Sequence, residues 1–113
     1  MVMSVIQDSD GLFWLGTEGA GLARFDPATG KFYHYQHDPD ENTTISSDLV
    51  NTVYEDAQGR IWVGTWGFGL NLLDKKTEKF KRYYYDPENP EGLPSNNVFA
   101  ICEDNLGKIW LGT

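Results

Sequence analysis

Cysteine is nearly missing from this 113-residue chain. Cys102 stands alone, so no intrachain disulfide can form and no metal site built on paired cysteines is available. Positive charge is also scarce: Lys and Arg number 9 against 17 Asp and Glu, and the formal net charge of −8 repels phosphate backbones. Only Lys75, Lys76, Lys79, Lys81 and Arg82 come near one another, which makes nucleic acid a poor partner. No apolar run is long enough to span a bilayer, so no direct membrane insertion is expected. Met1-Val2-Met3-Ser4 lacks the charged and apolar regions of a signal peptide. Apolar residues at helical spacing are not sustained anywhere, and neither a Ser/His/Asp set nor a metal-spaced histidine pair occurs, so no catalytic residue, metal or cofactor is expected.

What is present is 40% hydrophobic and 14% aromatic residues, enough for a packed core, and a repeat. Gly59-Arg60-Ile61-Trp62-Val63-Gly64-Thr65 is matched by Gly11-Leu12-Phe13-Trp14-Leu15-Gly16-Thr17 and by Gly107-Lys108-Ile109-Trp110-Leu111-Gly112-Thr113. The tryptophan positions are evenly spaced (62 − 14 and 110 − 62 both give 48), without insertion or deletion. Such a period points to propellers, solenoids or arrays. The units run Val2–Leu49, Val50–Asn97 and Val98–Thr113, the last about one third complete, as in an internal piece of a longer protein. Cys102 falls where the other units have Ile6 and Tyr54, so it reads as a small packing residue rather than a reactive thiol.

Each full unit carries four strand signals. The first is Val2 to Gln7, Val50 to Glu55 or Val98 to Glu103, rich in β-branched and aromatic residues. Next comes a turn opened by Asp8, Asp56 or Asp104 and closed by Gly11, Gly59 or Gly107, where a carboxylate bonds backbone amides and glycine takes a left-handed conformation. Asp8-Ser9-Asp10-Gly11 looks like the start of a calcium loop, but position 10 becomes Gln58 and Leu106 and no closing acid follows, so turn capping is the better reading. The tryptophan strand presents Ile61 and Val63 to one face and Trp62 to the other, as in a sheet sandwiched between two neighbours. A glycine-rich turn follows, Glu18-Gly19-Ala20-Gly21 or Trp66-Gly67-Phe68-Gly69; without a helix dipole or a lysine it reads as a connection, not a phosphate cradle. Leu22 to Asp26 and Leu70 to Asp74 form the third strand. Lys31 to His37 and Lys79 to Tyr85 form an amphipathic fourth strand suited to a sheet edge. His34 and His37 become Arg82 and Tyr85 and read as surface residues. The long polar link after each fourth strand, Asp38 to Leu49 or Asp86 to Asn97, exceeds a hairpin turn and carries Ile45 or Leu93 to tuck it down.

Four antiparallel strands per unit, two apolar faces and a long link predict an all-β fold of β-propeller blades: two full blades, 2–49 and 50–97, and the first two strands of a third, 98–113. The wording from Val50 to Leu70, repeated from Val2 to Leu22 and from Val98 to Thr113, resembles the two-component regulator propeller repeat of periplasmic sensor regions in hybrid two-component systems of Bacteroides-type bacteria. That resemblance implies a seven-bladed propeller, a periplasmic location, and a parent protein with a β-sandwich, a membrane helix, a histidine kinase and often a DNA-binding regulator. It also implies an oligosaccharide ligand and no enzymatic activity in this chain.

In an antiparallel blade the second connection and the link to the next blade share one end. This places Glu18, Trp66 and Phe68, where the units differ, beside the long links, at the propeller face where ligands usually enter. Trp66 can stack on a sugar ring while Asn51, Asn96 and Asn97 bond its hydroxyls. The commoner fate of such aromatics is packing against the next blade, and both readings stand for Trp66 and Phe68. Trp14, Trp62 and Trp110 recur in every unit and read as structural. The remaining functional alternatives are a protein-binding propeller scaffold and a propeller lyase of the streptogramin lyase-like type. Because an open array leaves apolar blade faces in water, self-association or packing against further blades is expected.

Overall fold

The computed structural model describes residues 1–89 and 92–113. Pro90 and Glu91, within the second long link, lie outside the described residues. Among the described residues ten strands form three antiparallel sheets. The first contains β1 (Val2–Gln7), β2 (Phe13–Thr17), β3 (Leu22–Asp26) and β4 (Lys31–Tyr35) in chain order. The second repeats it with β5 (Val50–Glu55), β6 (Ile61–Thr65), β7 (Leu70–Asp74) and β8 (Lys79–Tyr83), and the third is the pair β9 (Ala100–Glu103) and β10 (Ile109–Gly112). These are the blades of a β-propeller, as the repeat predicts. The fourth strands stop two residues short of His37 and Tyr85, and β9 begins two residues after Val98. His37 and Tyr85 leave the strand because their amides turn to the side chains of Asp48 and Asn96 in the long links.

The turn between the first two strands has the same construction three times. The Asp8 Oδ1 atom accepts the amides of Asp10 and Leu12, and its Oδ2 atom accepts the Trp14 indole N–H at 2.7 Å. Asp56 and Asp104 repeat this with Trp62 at 2.9 Å and Trp110 at 2.8 Å. One carboxylate therefore caps the turn and aims the tryptophan. Gly11, Gly59 and Gly107 close these turns at φ of 84°, 78° and 79°, the left-handed region that a Cβ disfavours.

Strand alternation gives each sheet two faces. Ile6, Trp14, Leu22 and Tyr35 of the first sheet, with Ile45 from its link, pack on Val53, Ile61, Val63, Leu73 and Phe80 of the second. Tyr54, Trp62, Leu70, Leu72 and Tyr83 on the second sheet's other face meet Ile101, Ile109 and Leu111 of the third. Glycine lets the sheets approach. A Cβ on Gly16 would lie 2.6 Å from Val50 Cγ1, and one on Gly64 would lie 2.8 Å from Val98 Cγ1. Ile45 is buried as expected, and buried Asn71 of β7 holds Ser46 of the first link through both its amide oxygen and its amide nitrogen.

The stack is uncovered at both ends. Val5 and Phe32 are each 55% exposed on the first sheet's outer face, and Trp110 is 60% exposed on the third, whereas Trp14 is fully buried. Cys102 is exposed, contrary to the packing role read from Ile6 and Tyr54, because it lies on that same uncovered face of β9.

Candidate functional site

The inner strands β1, β5 and β9 lie side by side, and a cavity of about 410 Å³ opens at the end of the blades where the second connections and the long links meet. Its lining includes Met3, Asn51 and Phe99, equivalent positions of three successive units, and Glu18 and Trp66, equivalent positions after β2 and β6. The backbone sets those two side chains over the gap: the Glu18 amide donates to Met1 C=O and the Trp66 amide to Leu49 C=O. Trp66 stands edge-on to Phe99, their ring centroids 5.2 Å apart, and remains 52% exposed. Both readings of Trp66 thus have a physical counterpart, an edge contact with the next unit and an open ring surface. Asn51 Nδ2 donates to Val98 C=O at 3.3 Å, which holds the amide in the cavity wall.

Sequence reasoning placed Glu18, Asn51 and Trp66 in one region, and the fold brings them into one cavity. The other three candidates do not line it. Phe68 is 49% exposed in the glycine turn, and its carbonyl accepts the Ser46 hydroxyl. Asn96 accepts the Tyr85 amide at 2.6 Å and its carbonyl accepts the Gly69 amide, as Asp48 does for His37 and Gly21 one unit earlier, so its side chain fastens the link. The Asn97 amide donates to Ser95 Oγ, while its buried Oδ1 has no hydrogen-bond partner among the described residues. Met3 and Phe99 went unread as site residues. The signal was there in the change Met3, Asn51, Phe99 at a repeat position that follows an unchanged valine, Val2, Val50 and Val98.

The buried carboxylates serve architecture. Burial alone pushes the Asp8 carboxyl up, but the Trp14 indole, the Leu12 amide and the Lys75 ammonium outweigh it and hold it below its ordinary value. Asp56 is lowered in the same way, with Trp62 and Arg60 overcoming burial. Among the described residues no three His, Cys, Asp or Glu side chains cluster as metal ligands. A wider cavity of about 590 Å³ lies at the opposite end of the second sheet, between Arg60, Leu72, Phe80 and Lys81. Its lining runs from Asp74 to Lys79 around the β7–β8 turn and draws on residues of both faces of the second sheet, Leu73 and Phe80 on one and Leu72 and Lys81 on the other.

A family model described as two component regulator propeller matches residues 1–19, 44–67 and 92–113, over half the chain. Among solved structures, the extracellular domain described as hybrid two component system BT3049 from B. thetaiotaomicron is 32% identical over 99% of this chain, with a TM-score of 0.85. The extracellular domain of BT4673 from the same organism is 29% identical over 100% of the chain, with a TM-score of 0.79. The chain spans 16% and 14% of the length of those two proteins. Virginiamycin B lyase from Staphylococcus aureus, 18% identical over 97% of this chain and 33% of its own, with a TM-score of 0.71, shares the fold alone. No curated protein matches. The sheet-on-sheet stack, the thrice-repeated Asp–Trp turn and these likenesses agree: the chain belongs to the two-component regulator propeller family.

Proposed function

We propose that this chain is part of a β-propeller sensor domain that recognises a periplasmic oligosaccharide for two-component signal transduction. In this reading residues 2–49 and 50–97 are two full blades and 98–113 the first strands of a third. The likeness to extracellular domains of two-component systems supports a place outside the cytoplasm and a binding role rather than a catalytic one. Kinase and output functions belong to other parts of the longer protein.

The observation that carries the ligand proposal is the shared cavity, in which Trp66 offers an open ring surface while Glu18 and Asn51 lie within the same lining. A pyranose needs an apolar face to stack on and carboxylate or amide groups for its hydroxyls, and this cavity holds both. Trp66→Ala in the sensor region of the longer protein should weaken oligosaccharide binding about tenfold or more, equivalent to ~1.4 kcal/mol, as read by isothermal titration against a panel of host and dietary glycan fragments. Phe68→Ala, outside the cavity, should leave affinity unchanged. Equal affinity for the Trp66→Ala variant and the parent would remove this site, and binding of a protein partner with no response to any glycan would favour a scaffold.

A further inference from the structure

The cavity at the inner strands offers a ligand acceptors and apolar surface but no cation, and we propose that the sugar unit stacked on Trp66 is free of carboxylate and sulfate, with Glu18 turning acidic glycans away. The inference rests on the oligosaccharide reading above and adds the charge class of the ligand to it. Its first support is the way the wall is made. In β1 and β5 the pairing with the next strand skips one residue, Met3 between Val2 and Ser4 and Asn51 between Val50 and Thr52. Phe99 has the same place in the third unit, directly before Ala100, the first paired residue of β9. A bulge frees a side chain from the alternation of the two sheet faces and re-aims it. These three side chains accordingly line the cavity and take no part in the blade-to-blade cores. The lining thus comes from the inner edge of three successive units, not from the face that one blade turns to the next.

What this wall can do follows from its atoms. Asn51 Nδ2 donates to Val98 C=O, and since a carbonyl only accepts, the atom turned to it must be the amide nitrogen. Asn51 Oδ1 is left to accept from a ligand. Glu18 is fixed through its backbone, by its amide bond to Met1 C=O and its bridge to Leu49, while its exposed carboxylate has no hydrogen-bond or ion-pair partner among the described residues. Met3, Trp66 and Phe99 add apolar surface, and among the described residues no Lys, Arg or His lines the cavity. Hydroxyl groups suit such a wall, because each can donate to Glu18 or Asn51. A carboxylate or sulfate placed there loses water, meets a carboxylate and gains no counter-charge. Stacking does not make the distinction, since a hexose and its uronic acid offer Trp66 the same apolar ring face. Charges elsewhere on the longer protein act from further away and are screened by salt, whereas Glu18 shares one cavity of about 410 Å³ with Trp66.

The test uses the sensor region of the longer protein and matched ligands: neutral glycan fragments, the same fragments oxidised at their primary hydroxyls to carboxylates, and the methyl esters of those carboxylates. Isothermal titration should show the neutral form bound about tenfold or more tighter than the carboxylate form, with the ester recovering most of the difference and the gap narrowing in high salt. Glu18→Gln keeps an acceptor and removes the charge, so it should tighten the carboxylate form about fivefold and leave the neutral form within about twofold. Glu18→Lys should reverse the preference. Asn51→Leu removes an acceptor without changing charge and should weaken both forms alike. Carboxylate forms that bind as tightly as neutral ones, and lose that binding in Trp66→Ala, overturn this inference and leave the oligosaccharide reading standing. An unchanged preference in Glu18→Gln overturns it as well. If no fragment of any charge binds, the oligosaccharide reading falls and this inference falls with it.

Discussion

At the scale of single residues, the most repeated device is the aspartate that caps a turn and fixes a tryptophan six positions later. Asp56 is buried and accepts the Gln58 and Arg60 amides, the Arg60 guanidinium and the Trp62 indole, so no lone pair is wasted. Asp56→Asn removes the charge from this set and turns one acceptor into a donor facing the indole N–H. The expected cost is ~2 kcal/mol, the range for a charge-assisted bond, measured by urea unfolding. At Asp104 the same change should cost less, because the tryptophan it holds is exposed. The pH dependence follows from the direction of the shifts. The folded carboxyls of Asp8 and Asp56 lie below their ordinary value of 3.8, so their contribution is complete above that pH and is lost as pH falls through the depressed values. Asp56→Asn should therefore flatten the acid limb of stability against pH. Tyr35 contributes on the opposite limb: burial and then its hydrogen bond to Glu78 raise the phenol to about 12, so its contribution is full below pH 10 and is lost as pH rises through about 12.

At the scale of elements, blades are joined by side chains that reach from one unit's strand end to the previous unit's turn. Lys75, just after β7, is the clearest case, with its ammonium 3.2 Å from Asp8 and 3.5 Å from both Asp10 and Glu55. Burial pulls its pKa down, but the surrounding carboxylates outweigh this and raise it. Lys75→Met keeps the stem and removes the charge, leaving the buried Asp8 carboxylate held by its turn and Trp14 alone. Because the lysine is partly open to solvent, the expected loss is about 1–2 kcal/mol, and it should shrink in high salt. Chemical unfolding at two salt concentrations checks both. The strands themselves were legible: comparing positions one period apart aligned apolar alternation, turn aspartates and glycines, and gave the bounds of β1, β3, β5 and β7 to the residue. The Asp–Trp spacing was also visible but carried no sign that the indole was the carboxylate's partner. The bond from the Ser9 amide to Glu55 was illegible because the two residues are 46 positions apart, and only a stacked sheet brings such residues together. At the cavity, the variable Glu18 and Trp66 announced themselves, whereas Asn96 looked equally polar and free, since its bond to the Tyr85 amide depends on the path of the long link.

For the whole molecule, stability in a stacked array is a sum of unit terms and nearest-neighbour interfaces, so position in the stack matters more than local sequence. The second sheet is covered on both faces and every residue of β6 is buried, while β2, with nearly the same sequence, is covered on one face and is only partly buried. The third sheet has two strands, one covered face and an exposed tryptophan. Opening the third sheet breaks one interface; opening the second breaks two. Amide hydrogen exchange should therefore be slowest in β5, β6 and β7, intermediate in β2 and β3, and fastest in β10. Mass spectrometry of peptic fragments resolves the sheets. Uniform protection across all three sheets would mean that the chain opens as one cooperative unit and that its interfaces are stronger than the sheets they join. A gradient from the centre outward would show that each blade depends on its neighbours for order, so that a change at one interface is felt by the sheets on both sides of it.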